Sequence, residues 1–166
     1  MDLDRRRSRA TLLRVHLATS LGALALVTCF LVASAAAELV GGQATLLAVK
    51  RGILALLLIL VPLMAGAGLS GRRLAAGSRA PIVRRKLGRL KVVAATGVLV
   101  LIPCAITLER LAESGGLGVS FALLQALEFG AGTLNLVLLG LNFRDGLTLR
   151  ARRLGARRAP NASGRI

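Results

Sequence analysis

The chain has 166 residues, of which 55% are hydrophobic, and it carries a formal net charge of +16 at pH 7. Such a composition is atypical of a soluble domain, and the length leaves no room for a separate soluble catalytic domain, so we expect no enzyme. The cations flank apolar segments without interleaved aromatic side chains for base stacking, so they indicate anionic lipid head groups, and not nucleic acid, as the partner.

Four apolar segments predict four membrane-spanning helices. A helix of about 20 apolar residues is long enough to cross the hydrocarbon core of a bilayer. The expected fold is therefore all-α, an integral membrane four-helix bundle within residues 15–147. We expect its helices at about residues 15–37, 48–71, 90–109 and 119–143.

The first helix follows a basic segment at residues 1–14. Ala33-Ser34-Ala35 has the form of a signal-peptidase site, but the apolar stretch exceeds the usual length of about 7–15 residues for a signal peptide. We therefore expect a retained helix.

The second and third helices each contain a proline, Pro62 and Pro103, which removes a backbone donor and predicts a local kink. Lys50 and Arg51 stand at the start of the second helix. Long basic side chains at this position can reach inward to a buried carboxylate on another helix.

The fourth helix carries an intramembrane polar face, because its polar residues recur at helical spacing. The predicted polar site consists of Gln125, Glu128, Asn135 and Asn142. A carboxylate inside a span costs about 2.5–3.5 kcal/mol on insertion scales, so this face should point to protein or to a water-filled cavity. Ala122, Ala126 and Gly130 form a second strip of small residues that permits close helix contact.

Glu128 is the most informative single residue. We predict a contact with Lys50 or Arg51, because pairing offsets the burial of both charges. Two interpretations stay open: a structural ion pair between helices, or a site for an ion, a proton or a substrate.

Basic residues are distributed unequally between the connections. They concentrate in residues 1–14, 72–91 and 144–166, whereas the connections near Lys50 and Arg110 carry few. Cytoplasmic segments hold the excess of Lys and Arg, so both termini are expected in the cytoplasm. The composition, rich in Ala, Gly and Arg, is typical of a GC-rich bacterium. We therefore expect the protein in the bacterial inner membrane. Residues 148–166 should form a basic, disordered cytoplasmic tail.

No metal or cofactor is expected. His16 is the single histidine, and Cys29 and Cys104 each lie within an apolar segment. One histidine cannot supply both axial ligands of a haem, and isolated cysteines do not form a thiol redox motif.

Four short motifs resemble a family of small bacterial inner-membrane proteins with four helices and no assigned activity. They are Lys50-Arg51-Gly52, Leu101-Ile102-Pro103, Gln125-Ala126-Leu127-Glu128 and Asn142-Phe143-Arg144-Asp145-Gly146. The resemblance covers about residues 12–147. It implies the same four-helix topology and a polar fourth helix, and it implies no catalytic residue.

The expected function is that of a structural or accessory membrane component without a catalytic site, acting as a homo-oligomer or beside a partner membrane protein. The alternative is a small proton- or ion-coupled transporter that works as an oligomer, with Glu128 as the coupling carboxylate.

Overall fold

The computed structural model describes residues 2–76 and 81–158, and within them the side chains of residues 7–76 and 81–148. Its helices are α1 (Asp2–Val40), α2 (Gln43–Ala75), α3 (Pro81–Glu113) and α4 (Val119–Arg158). All four are long and apolar enough to cross a membrane, and the described residues contain no strand. The prediction of an all-α fold is confirmed, as is that of four helices long and apolar enough to span a membrane.

All four helices are longer than the sequence predicted. α2 spans Gln43–Ala75 instead of about residues 48–71, and α3 spans Pro81–Glu113 instead of about residues 90–109. α1 begins at Asp2, and α4 continues to Arg158 instead of ending near residue 143. Residues 148–158, expected in a disordered tail, are therefore helical, while residues 159–166 lie outside the described part of the chain. Hydropathy detects only the stretch that crosses the hydrocarbon core, of about 30 Å. The Arg, Leu and Ala residues beyond it are good helix formers, so the helices extend past the apolar segments.

The helices form a closed ring of antiparallel neighbours. α1 packs on α2, α2 on α3, α3 on α4, and α4 on α1. α1 and α2 are joined by the two residues Gly41 and Gly42, and α3 and α4 by residues 114–118. We call this the glycine-turn end, and the end where α2 stops and α3 begins the basic end.

α2 and α3 are close together at the glycine-turn end and diverge toward the basic end. The second half of α3 packs well on α2, whereas its first half, Pro81–Thr96, barely touches it. The apolar core follows this asymmetry, because Leu46, Leu108 and Phe121 are buried together in the glycine-turn half. The basic half is therefore the looser part of the bundle.

Small residues set the distance between α1 and its neighbours. A Cβ atom at Gly66 would lie 3.0 Å from Cγ2 of Thr19, and one at Gly132 would lie 2.9 Å from Cδ2 of Leu31. The expected strip of small residues on α4 behaves differently, because Ala122, Ala126 and Gly130 are all exposed on the outside of the bundle. Close contact within the chain thus uses Gly132 and not that strip.

The two prolines differ in their effect on the helices. A π-helical turn covers Gly97–Leu101 and ends two residues before Pro103. The N–H of Ile102 bonds to the carbonyl of Gly97. A wider turn at this place accommodates the proline, which lacks a donor and crowds the preceding turn. α2 continues as an α-helix through Pro62.

Candidate functional site

A buried ion pair joins α2 to α4 through the middle of the bundle. Nζ of Lys50 lies 2.5 Å from Oε2 of Glu128, and the side chains are only 1% and 11% exposed. α2 and α4 are diagonal in the ring, and among the described residues their Cα atoms do not come within 8 Å of one another. The long Lys and Glu side chains are what spans this gap.

Two polar side chains complete the ion pair. Lys50 donates to Oγ of Ser34 on α1 at 3.4 Å, and Nε2 of Gln125 donates to Oε2 of Glu128 at 2.8 Å. Three helices thus contribute to one hydrogen-bonded group, which we call the Lys50–Glu128 cluster: Ser34, Lys50, Gln125 and Glu128. A buried charge needs such additional hydrogen bonds, because ion pairing alone rarely offsets its desolvation.

Arg51, the other candidate partner, turns away from Glu128. Its guanidinium bonds to the carboxylates of Glu109, at 3.0 Å, and Glu113 on α3. Arg51 and Glu113 are half exposed at the glycine-turn end. Adjacent residues on a helix point about 100° apart, so only one of Lys50 and Arg51 can face the interior.

Asn135 continues the polar face of α4 toward the basic end. It is buried, and its Nδ2 donates to the carbonyl of Val93 at 3.4 Å. Within the part of the chain that the structure describes, its Oδ1 has no hydrogen-bond partner, and the same holds for Oε1 of Gln125. Unpaired buried oxygens are uncommon in folded proteins, so both atoms are exceptions within an otherwise hydrogen-bonded polar face.

Asn142 does not join the Lys50–Glu128 cluster. Its Nδ2 donates to the carbonyl of Lys86 at 3.2 Å, and its Oδ1 accepts from Arg89 at 3.5 Å. Arg89 also pairs with Asp145 at 2.8 Å. The four predicted polar residues therefore divide into an inner group at Gln125, Glu128 and Asn135, and a separate contact between α3 and α4 at Asn142.

Four residues that make these contacts were not predicted as site residues from the sequence: Ser34, Arg89, Asp145 and His16. Ser34 was noted only within a cleavage motif, Asp145 only within a short motif, and Arg89 only as one of the basic residues in 72–91. His16 lies on α1, where its Nδ1 is 3.0 Å from Oγ of Ser70 and 3.1 Å from the carbonyl of Ala67 on α2. The sequence does not show which neighbouring helix a lone polar residue in an apolar helix contacts, so these pairings could not be predicted from it.

A cavity of about 980 Å³ occupies the space where α2 and α3 diverge. Its walls are mainly aliphatic, with Leu, Val and Ile side chains from both helices. Glu128 and Asn135 border its inner part, and Arg72, Arg84 and Lys91 line it at the basic end. The cavity therefore connects the polar face of α4 with cations at the membrane boundary.

The residues that the structure describes bring together no group of three His, Cys, Asp or Glu side chains that could hold a metal ion. Cys29 is exposed and Cys104 is buried, and both are free thiols.

Comparisons of the chain with protein-family models, with curated proteins and with solved structures find no match. The resemblance of the four short motifs to a bacterial membrane-protein family stays a prediction, and any function has to be inferred from the residues of the site itself.

Proposed function

We propose that the protein is a non-enzymatic structural or accessory component of the bacterial inner membrane, and that the Lys50–Glu128 cluster fixes its helices in place. One observation carries this proposal: both charges are buried and bonded to side chains of the bundle. A pair arranged in this way holds two diagonal helices in register. Because each charge is compensated by its partner inside the protein, the cluster is stable without a bound ion or substrate.

The stability of folded variants tests this role. We expect Glu128→Gln to lower thermal stability in detergent, and we expect Lys50→Met to restore part of that loss in the same chain. A Glu128→Gln protein as stable as the wild type would contradict the structural role.

We propose that both termini face the cytoplasm. The end of α2 and the start of α3 carry four arginines on the same side of the bundle as the two termini: Arg72, Arg73, Arg84 and Arg85. Such an excess of cations is retained on the cytoplasmic side.

Labelling of single cysteines tests the orientation. In a chain with Cys29→Ala and Cys104→Ala, we expect Gly42→Cys to react with a membrane-impermeant maleimide in intact cells. Ala76→Cys, at the opposite end, should react only after permeabilisation. A Cβ at Gly42 meets no atom of the described residues within 4 Å, and Ala76 is exposed. Neither cysteine substitution should therefore disturb the packing of the helices. The reverse labelling pattern would contradict the proposed topology.

A second candidate is a small proton- or ion-coupled carrier acting as an oligomer, with Glu128 as the coupling carboxylate. It is supported by the fact that Glu128 and Asn135 both border the cavity. A carboxylate that meets a cavity inside a membrane is a common arrangement for proton exchange.

Proton flux into vesicles tests the carrier. With a pH-sensitive dye enclosed, we expect flux above that of protein-free vesicles for the wild type and none for folded Glu128→Gln. Flux equal to that of empty vesicles for the wild type, or unchanged flux for the variant, would exclude this candidate.

A further inference from the structure

The cavity between α2 and α3 lies beside a part of the bundle in which the two helices are held together by polar side chains. At the glycine-turn end, Nε2 of Gln43 donates to the carbonyl of Ala112 at 3.0 Å, and Arg51 bonds to Glu109. Toward the basic end the helices separate and leave a space of about 980 Å³. That volume lies at the upper end of the range for ligand sites, which is about 300–1,000 Å³.

The lining of this cavity has two chemically distinct parts. The long middle part is aliphatic, with residues such as Leu57, Leu60 and Val98. The part at the basic end holds cations from both walls, Arg72 from α2 and Arg84 and Lys91 from α3. A site with an apolar body and a cationic mouth matches an amphiphile with an acidic head group.

The cations at the mouth differ from a neighbouring arginine on α3. Arg89 is held by Asp145 of α4, whereas Arg72, Arg84 and Lys91 are exposed and form no ion pair with any described side chain. Arg84 and Lys91 are seven residues apart, which places them on one face of α3. Their charge is thus presented to the cavity without an internal counter-charge.

We propose that this cavity binds an anionic membrane phospholipid, with the phosphate between Arg72, Arg84 and Lys91 and an acyl chain along α3. The cavity follows α3 from Lys91 to Ala105, a distance of about 21 Å at the helical rise per residue. One leaflet of hydrocarbon is about 15 Å thick, so the site accommodates a chain of membrane length. This inference goes beyond the proposed function, because it assigns a ligand and does not depend on the role of the Lys50–Glu128 cluster.

Binding of defined lipids to delipidated protein tests the head-group part. Phosphatidylglycerol and phosphatidylcholine are added at equal concentration to the full chain in mild detergent, and bound lipid is counted by native mass spectrometry. We expect the wild type to prefer phosphatidylglycerol, and we expect the double variant Arg72→Gln/Arg84→Gln to bind it about tenfold more weakly. The matched control is Arg73→Gln/Arg85→Gln, which removes the same charge from adjacent exposed residues that do not line the cavity.

Filling the cavity tests the acyl-chain part. Gly97 lines the cavity, and a Cβ atom there meets no atom of the described residues within 4 Å, so Gly97→Leu should fold while occupying space for the chain. We expect it to weaken phosphatidylglycerol binding, whereas Gly130→Leu on the exposed side of α4 should leave binding unchanged. Thermal stability of each variant confirms that it is folded.

Three results would overturn the proposal. They are equal losses in the two arginine double variants, equal binding of the two lipids to the wild type, and unchanged binding in Gly97→Leu. Equal losses in the two arginine double variants would mean that general surface charge causes the effect. Unchanged binding in Gly97→Leu would mean that the protein contacts the head group but has no site for the acyl chain.

Discussion

Replacing Glu128 with glutamine is expected to lower the free energy of unfolding by about 3–5 kcal/mol, the usual cost of removing one partner from a buried ion pair. The cost arises because Lys50, only 1% exposed, would remain buried without its counter-ion. Lys50→Met should have a loss of similar size, since it leaves the Glu128 carboxylate with only Gln125 as a donor. Denaturation of the purified chain in detergent micelles measures both changes.

The half-exposed ion pair at the glycine-turn end provides the control. Glu113→Gln removes a carboxylate that bonds to Arg51, but both side chains are more than half exposed. Exposed pairs contribute little, so we expect a much smaller change in stability than for Glu128→Gln. Equal losses at Glu113 and Glu128 would mean that burial is not what makes the inner pair important.

Replacing Gly66 with leucine is expected to destabilise the protein by about 1–3 kcal/mol, as is typical of overpacking. The first added carbon would lie 3.0 Å from Cγ2 of Thr19, and the rest of the side chain would push α1 away from α2. Thr19 cannot easily yield, because its branched side chain is stiff and its hydroxyl bonds to the carbonyl of Val15.

Gly52→Leu is the matched control, since it makes the same change on the same helix. Within the part of the chain that the structure describes, a Cβ atom at Gly52 meets nothing within 4 Å, so the unfolding transition should stay near that of the wild type or rise slightly. Equal stability of the Gly66→Leu and Gly52→Leu chains would contradict the close approach of α1 and α2 at Gly66.

The sequence was sufficient to predict that the polar face of α4 points into the bundle. The helical spacing of Gln125, Glu128 and Asn135 places them on one face, and the cost of a carboxylate in lipid turns that face inward. The structure buries all three and brings Lys50 to Glu128. Periodicity and charge determine these features, and both can be read from the chain.

The choice between Lys50 and Arg51, and the neighbours of His16, could not be predicted in this way. They depend on how far each helix is rotated about its axis, which apolar helices with few polar residues do not specify. The cavity has the same origin, since it arises from the angle between α2 and α3. The strip at Ala122, Ala126 and Gly130 is exposed. Small residues permit close contact between helices but do not determine which helix makes it.

The most direct test of the structural role is a double-mutant cycle on the buried pair. The free energies of unfolding are measured for the wild type, Lys50→Met, Glu128→Gln and the chain that carries both changes. Because the double variant leaves no unpaired charge among the residues of the cluster, part of the loss should be restored, and the double variant should be more stable than either single variant. Losses that simply add in the double variant would contradict the account, because they would show that Lys50 and Glu128 do not act on each other.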